Sequence, residues 1–427
     1  GRDSNDDWQG LWINGSDRLS LGWEADGGGG NVDGSVLSAG NWYYVAGSYD
    51  GTNRRLYLNG ILDGGPDPSG PHDTSIDEGT QIGEDYPNGS ALDGIVDEVR
   101  ISTIARPVEW IATEFNNQRA PAAFYTVGIE ETDGTDADPL NNGWQYSKKI
   151  TILASEVAAD FTNFPVLIRT THTDWRETSN GGNVAQSDGG DILFLAGNRT
   201  TKLDHEIESY VETTGELVAW VEVLSLSASQ DTDIYIFYGN ADAVDQWNPT
   251  GAGVWEPNYA GVWHLHDDFN DSTWEGNHGT NSGSADDTGT MADAQYFDST
   301  DDIYTGTNST MADASAVTIS AWIKPDAGQT DWGGILEYRD SAAGWETVLE
   351  IKSTRKFSFG TWSDASSWHN LESNAVIPTT GFSYIAGVYD GSDKITYLDG
   401  QLDNTYGSFT GNLRNNNRPF HIGRNPG

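Results

Sequence analysis

Asn41-Trp42-Tyr43-Tyr44-Val45-Ala46-Gly47-Ser48-Tyr49-Asp50-Gly51, followed by Leu56-Tyr57-Leu58-Asn59-Gly60, is the stretch that decides the fold, because it occurs twice. The second copy reads Gly381-Phe382-Ser383-Tyr384-Ile385-Ala386-Gly387-Val388-Tyr389-Asp390-Gly391, then Thr396-Tyr397-Leu398-Asp399-Gly400. In each copy one alternating run ends in Tyr-Asp-Gly and the next in Asn-Gly or Asp-Gly. These dipeptides supply the positive φ angles of tight hairpin turns. Both copies predict strand, turn, strand, turn.

Tyr389 lies 340 residues after Tyr49, and Ile422-Gly423 lies the same distance after Ile82-Gly83. Upstream, Arg2-Asp3-Ser4 with Trp8 matches Arg339-Asp340-Ser341 with Trp345 at an offset of 337, so about three residues of loop were gained or lost between the two matches. Residues 254–338 have no counterpart in the first copy, and 91–125 none after the second. The expectation is that two incomplete modules flank one complete, different module, in a chain cut or processed from something longer.

At 427 residues the chain exceeds one ordinary domain. Lys and Arg total 22 against 65 Asp and Glu, for a net charge of -43. Such a surface repels nucleic acid and anionic membranes and suits high salt and divalent cations. The chain has no cysteine, so no disulfide or thiolate metal site holds it together. No run reaches the eighteen or so apolar residues of a membrane helix, so no membrane insertion is expected.

Residues 1–125 carry short alternating runs at 18–21, 43–49, 55–58 and 94–101 between Gly-, Asp- and Asn-rich turns. Residues 107–117 predict a helix, with Pro107 in the first turn and Trp110, Ile111, Glu114 and Phe115 on one side. Residues 126–142 have the polar, acidic composition of a linker. Residues 143–250 predict a compact β-sandwich from runs at 146–152, 165–170, 191–196, 205–211, 217–223 and 233–238. Residues 254–427 add strands at 263–265, 295–297, 317–323 and 335–338.

Phe297-Asp298 with Asp301-Asp302, Ser320-Ala321-Trp322-Ile323-Lys324-Pro325, Val45-Ala46-Gly47 before Tyr49-Asp50-Gly51, and Asp93-Gly94-Ile95-Val96-Asp97-Glu98-Val99-Arg100-Ile101 come in a familiar order. Together they resemble the laminin-G-like, concanavalin-type jelly roll. The resemblance covers both flanking segments and implies an all-β protein: the C-terminal part of one jelly roll at 1–125, and a second at 254–427 lacking its last strand. The middle segment is similar to an uncharacterised β-domain that often precedes such jelly rolls in prokaryotic surface proteins. That similarity rests on Gly143-Trp144, Phe164-Pro165-Val166, Glu206-Ile207-Glu208, Trp220-Val221 and Tyr238-Gly239-Asn240. It implies an extracellular or cell-surface setting and no activity.

In the run 94–101, Asp97 shares a strand face with Ile95, Val99 and Ile101, so the phase that buries those three turns Asp97 inward. An inward carboxylate needs donors or a cation. Related jelly rolls often hold a structural calcium near this last strand, and Asp298, Asp301 and Asp302 are the oxygen ligands the resemblance would add to Asp97. The alternative is a carboxylate capped by backbone amides. Asp267, Asp268, Asn270 and Asp271 lack the spacing of the twelve-residue calcium loop and predict a solvated acidic loop.

Glu206 and Glu208 alternate onto one face, as paired carboxylates for glycoside hydrolysis would. They lie in the middle module and predict a solvated strand face. No nucleophile elbow, phosphate loop or His-Glu-x-x-His motif occurs. Of the 17 tryptophans, Trp42, Trp220 and Trp322 are in strand phase and predict core packing. Trp332, Trp362 and Trp368 lie in turn-rich stretches and are the candidates for gripping sugar faces. Glycosylation sequons stand at Asn14, Asn88, Asn198, Asn270 and Asn308.

The resulting expectation is a non-enzymatic extracellular protein whose jelly rolls and β-domains alternate, joined head-to-tail to copies of itself in a filament or surface array. The missing strand of each broken module would come from another copy. The alternative is an adhesin that binds polysaccharide or cell-surface glycan.

Overall fold

The computed structural model describes residues 97–132 and 143–423 apart from short breaks, and of the first 96 residues the course of the strands. The chain forms two units: Gly1–Phe115 with Asn258–Asp271 and Glu275–Gly427, and Asn116–Pro257 with Ser272–Trp274.

The middle unit is a sandwich of two antiparallel sheets. Tyr125–Thr132, Tyr146–Ile152, Thr232–Tyr238 and Leu193–Ala196 form one in that order, and Phe164–Thr171, Glu216–Val223 and His205–Val211 the other. The six runs read from 143–250 are these strands, displaced by at most two residues. The acidic stretch is partly corrected, because Tyr125–Thr132 is not linker but an edge strand registered on Tyr146–Ile152. Its composition is polar because one of its faces is open, with Ile129 85 % exposed. Val218 through Val223 are buried without alternation, as befits the middle strand of its sheet.

Asp191 organises the end of this sandwich. Fully buried, it accepts the amides of Ala185 and Gly239 on Oδ2 (2.9 and 2.7 Å), Asn240 on Oδ2 (3.1 Å) and Gln186 on Oδ1 (3.0 Å). Tyr238-Gly239-Asn240 is thus tied to the loop ahead of Leu193–Ala196 by one carboxylate. Gly239 sits at φ 87°, a backbone conformation that favours glycine.

The other unit joins both repeat copies. One sheet runs Ala285–Thr288, Asp293–Asp298, Asp93–Ser102, Val317–Pro325, Ser383–Tyr389, Asp393–Leu398, Gly400–Gly407, and continues into Tyr44–Tyr49, Asn53–Leu58 and Ile61–Pro68. The facing sheet runs Gly279–Ser282, Asp302–Thr305, Phe420–Arg424, Gly333–Asp340, Thr80–Asp85, Gly344–Ile351, Phe357–Ser363, Ser366–Glu372. The repeat equivalents Thr80 and Phe420, and Gln81 and His421, pair in parallel.

The hairpins follow their turn residues. Leu398 pairs with Gln401 across Asp399-Gly400, both at positive φ (50° and 76°), which is the primed two-residue turn. In the first copy Leu58 pairs with Ile61 across Asn59-Gly60. Gly387 of the Ile-Ala-Gly run is a packing requirement: a Cβ there would meet the Phe359 ring of the facing sheet at 2.3 Å.

The strand Asp93–Ser102 changes the picture of two broken modules. It lies between Asp293–Asp298 and Val317–Pro325, the interior place left open in the C-terminal jelly roll. A segment of the same chain fills it here. The helix Val108–Arg119 follows, starting one residue later and ending two residues beyond the stretch read as helical.

Candidate functional site

The slot that receives Asp93–Ser102 holds a buried network of charged and polar side chains. Across the strand pair, Asp97 faces Trp322 and Arg100 faces Ser320. Two residues, Glu98 and Val99, therefore stand opposite the single Ala321, a β-bulge. Glu98 takes φ 53°, rare for a residue with a side chain. The bulge breaks the simple alternation, and Asp97, Glu98 and Arg100 are all buried.

Asp97 is inward, as its phase predicts. Its Oδ2 accepts the amides of Thr290 (2.6 Å) and Met291 (3.4 Å), while Oδ1 has no hydrogen-bond partner. Burial first, then the neighbouring Glu98, pushes its pKa up to about 8 against the pull of the two amides. Asp97 is therefore a neutral acid at pH 7. Glu98 binds His264 Nδ1 (2.9 Å) and Arg100. Arg100 reaches Glu114 on the helix (2.9 Å), and Tyr384 donates to Glu114 (2.8 Å). Burial opposes the Arg100 charge, and Glu98 and Glu114 more than restore it. Phe115 stacks on Trp322 at 6.2 Å. Sequence reasoning missed Glu98, Arg100, His264 and Tyr384 as partners. The available signal was Glu114, a carboxylate on the apolar side of its helix.

The four proposed calcium ligands are not gathered. Asp298 pairs with Asp93, four residues along the strand from Asp97, roughly 13 Å at the strand rise. Asp301 accepts the Asp298 amide (2.9 Å), and Asp302 binds His421 (3.1 Å). Among the described residues no three metal-binding groups include any of them. The set does not fit one calcium ion.

The acidic loop is also more structured than expected. Asp271 is buried and braces Val262 and Asn277 through their amides (3.0 and 2.8 Å). Asp268 is exposed and caps Asn270, and Asp267 lies outside the described residues. Glu206 and Glu208 correct the solvated-face reading. Glu206 is buried and accepts Trp255 Nε1 (2.8 Å) and Ser272 Oγ (2.6 Å), while half-buried Glu208 accepts Trp220 Nε1 (2.8 Å). Trp220 and Trp322 are buried as expected, and Trp42 lies outside the described residues.

Trp362 and Trp368 are not exposed grips. Both are buried, 6.4 Å apart, and the strand Gln9–Asn14 packs against both of their strands. Their turn-rich surroundings are two paired strands, Phe357–Ser363 and Ser366–Glu372. Trp332 is half-buried with Lys352 Nζ 3.8 Å from its ring centre. Among the described residues Trp274 and Tyr304 present exposed rings, at 62 % and 40 %, and sequence reasoning passed over both. Of the sequon asparagines, Asn198 and Asn270 are exposed, Asn14 ends the strand Gln9–Asn14, and Asn88 and Asn308 lie outside the described residues.

The laminin-G-type profile of the concanavalin A-like lectin/glucanase superfamily matches residues 2–112 and 297–427, more than half of the chain. The chain belongs to this superfamily. A domain of unknown function, DUF2341, matches residues 188–279, between the two superfamily segments. No curated protein and no solved structure matches the chain. Within the superfamily, laminin-G-like domains are typical of extracellular proteins and are usually non-catalytic. No helix among the described residues is long and apolar enough to cross a membrane.

Proposed function

We propose that this is a non-enzymatic structural protein of an extracellular surface, in which jelly rolls and DUF2341-type domains alternate and copies join head-to-tail. The observation that carries it is the placement of Asp93–Ser102: a strand from before the middle domain completes a jelly roll that follows it. The parallel pairing of repeat equivalents at 80–81 and 420–421 adds that strands of the two copies share one sheet. The same completion made between copies is a heterologous contact, which extends into a filament unless its rotation closes a ring. Light scattering and negative-stain microscopy over a concentration series test it. Growing linear assemblies are expected, and a monomer at every concentration would refute it.

A carbohydrate-binding role is the second reading, favoured by membership of a lectin-containing superfamily and by the ring of Trp274, 62 % exposed. An exposed indole is suited to stacking on a sugar face. Saturable binding on a glycan array, lost in Trp274→Ala, would favour this reading. No release of reducing ends from any common glucan is expected.

A further inference from the structure

We propose that Asp93–Ser102 is an exchangeable strand, and that in assemblies of this chain it fills the slot in the jelly roll of a second copy. This rests on the head-to-tail reading and names the element that performs it.

The slot is interior, so it is specified from both sides. Asp93 to Val96 register on Asp298 to Gln295, and residues 94–102 register on 318–325. A third strand, Tyr259–Trp263, pairs with residues 99–102. The side-chain contacts divide the same way. Asp97 is read by the amides of Thr290 and Met291, Glu98 by His264, and Glu114 by Tyr384. These contacts lie either within the 93–115 segment or between it and residues after 257. The helix travels with the strand, since Glu114 pairs with Arg100 and Phe115 stacks on Trp322.

None of these contacts requires that donor and acceptor share a chain. Asn117, on the same helix, is bonded to Leu167 of the middle sandwich (2.9 and 2.5 Å), so in an exchanged pair the strand and helix carry their own middle domain with them. A closed copy and an exchanged pair would form the same hydrogen bonds, ion pairs and apolar contacts, and differ in connection entropy and local concentration. An empty slot would expose the edges of two interior strands carrying Ile319, Ala321 and Phe297, all fully buried when it is filled. Such an edge captures a matching strand. Asp97, Glu98 and Arg100 supply specificity, because a strand lacking them would leave His264 and the 290–291 amides without their carboxylates. Exchange from each copy to the next gives an open series.

The chain has no cysteine, so engineered thiols report on the slot alone. Ser102 is registered opposite Thr318, and Ile95 opposite Lys324. Full-length Ser102→Cys and Thr318→Cys chains with different tags are co-expressed, oxidised and analysed without reductant. A covalent species bearing both tags is expected. In the Ser102→Cys/Thr318→Cys double variant a ladder of covalent multimers is expected. The Ile95→Cys and Lys324→Cys pair repeats the test should the first pair fail to fold. Light scattering on the same samples separates the two ideas. Assemblies without mixed-tag disulfides, while the double variant closes within single chains, overturn exchange and leave head-to-tail association standing. Monomers throughout overturn both.

Discussion

Asp97 shows what a single residue contributes when its charge is displaced by its surroundings. The folded chain holds its proton up to about pH 8, and the unfolded chain releases it near pH 4. The folded pKa is raised, so the stability it carries is complete below pH 4 and is lost as pH rises toward 8. The loss is at most about 6 kcal/mol, at 1.36 kcal/mol per unit. Asn is isosteric with the neutral acid, so Asp97→Asn should flatten thermal stability between pH 5 and 9 and be the more stable form at pH 9. A parallel decline in both proteins would refute the assignment. Asp191 contributes through geometry, as an acceptor for four amides. Asp191→Ala should cost at least about 3 kcal/mol, and hydrogen exchange should speed up at Ala185, Gln186, Gly239 and Asn240. The inward phase of Asp97 was legible because alternation fixes it. Asp191 was not, since four amides from two distant loops meet only in three dimensions.

At the scale of elements, turns and strands were legible where local chemistry decides them. Asp399-Gly400 reads as a primed turn because both residues tolerate positive φ, and the six middle strands follow from alternation and their flanking turns. The bulge at Glu98 was not legible, because it is set by the register of Val317–Pro325, more than 200 residues away. Nor was the burial of Trp362 and Trp368, whose turn-rich surroundings in the sequence close into two paired, buried strands. The glycine of the repeated Ala-Gly pair carries a test of sheet-on-sheet packing. Gly387→Val should destabilise the unit by about 1–3 kcal/mol or more through its clash with Phe359. Phe359→Ala should be costly alone yet partly compensate Gly387→Val, giving a coupling of about 1 kcal/mol in a double-mutant cycle. Strict additivity of the two melting shifts would show that the ring does not dictate the glycine.

For the whole molecule, the net charge of -43 sets the conditions under which copies can meet. Repulsion between two such chains acts over a Debye length of about 30 Å at 0.01 M salt, about 10 Å at 0.1 M and about 3 Å at 1 M. Strand exchange itself is short-ranged and apolar, so it should be limited by approach and not by the strength of the final contact. Self-association followed by light scattering should therefore rise with ionic strength and plateau once the screening length falls below the span of a side chain. Calcium provides the second arm. Asp97, Asp298, Asp301 and Asp302 are not gathered around one ion, so calcium and magnesium at matched ionic strength should give superimposable curves, and chelation should leave the melting temperature unchanged. A ligand at a hundred times its Kd would add about 2.7 kcal/mol, well within reach of a melting experiment. A calcium-specific gain of that size would place a cation site elsewhere in the chain. Association that falls with added salt would instead mean that the copies are held by ion pairs, and would remove the slot of Asp93–Ser102 from its role in assembly.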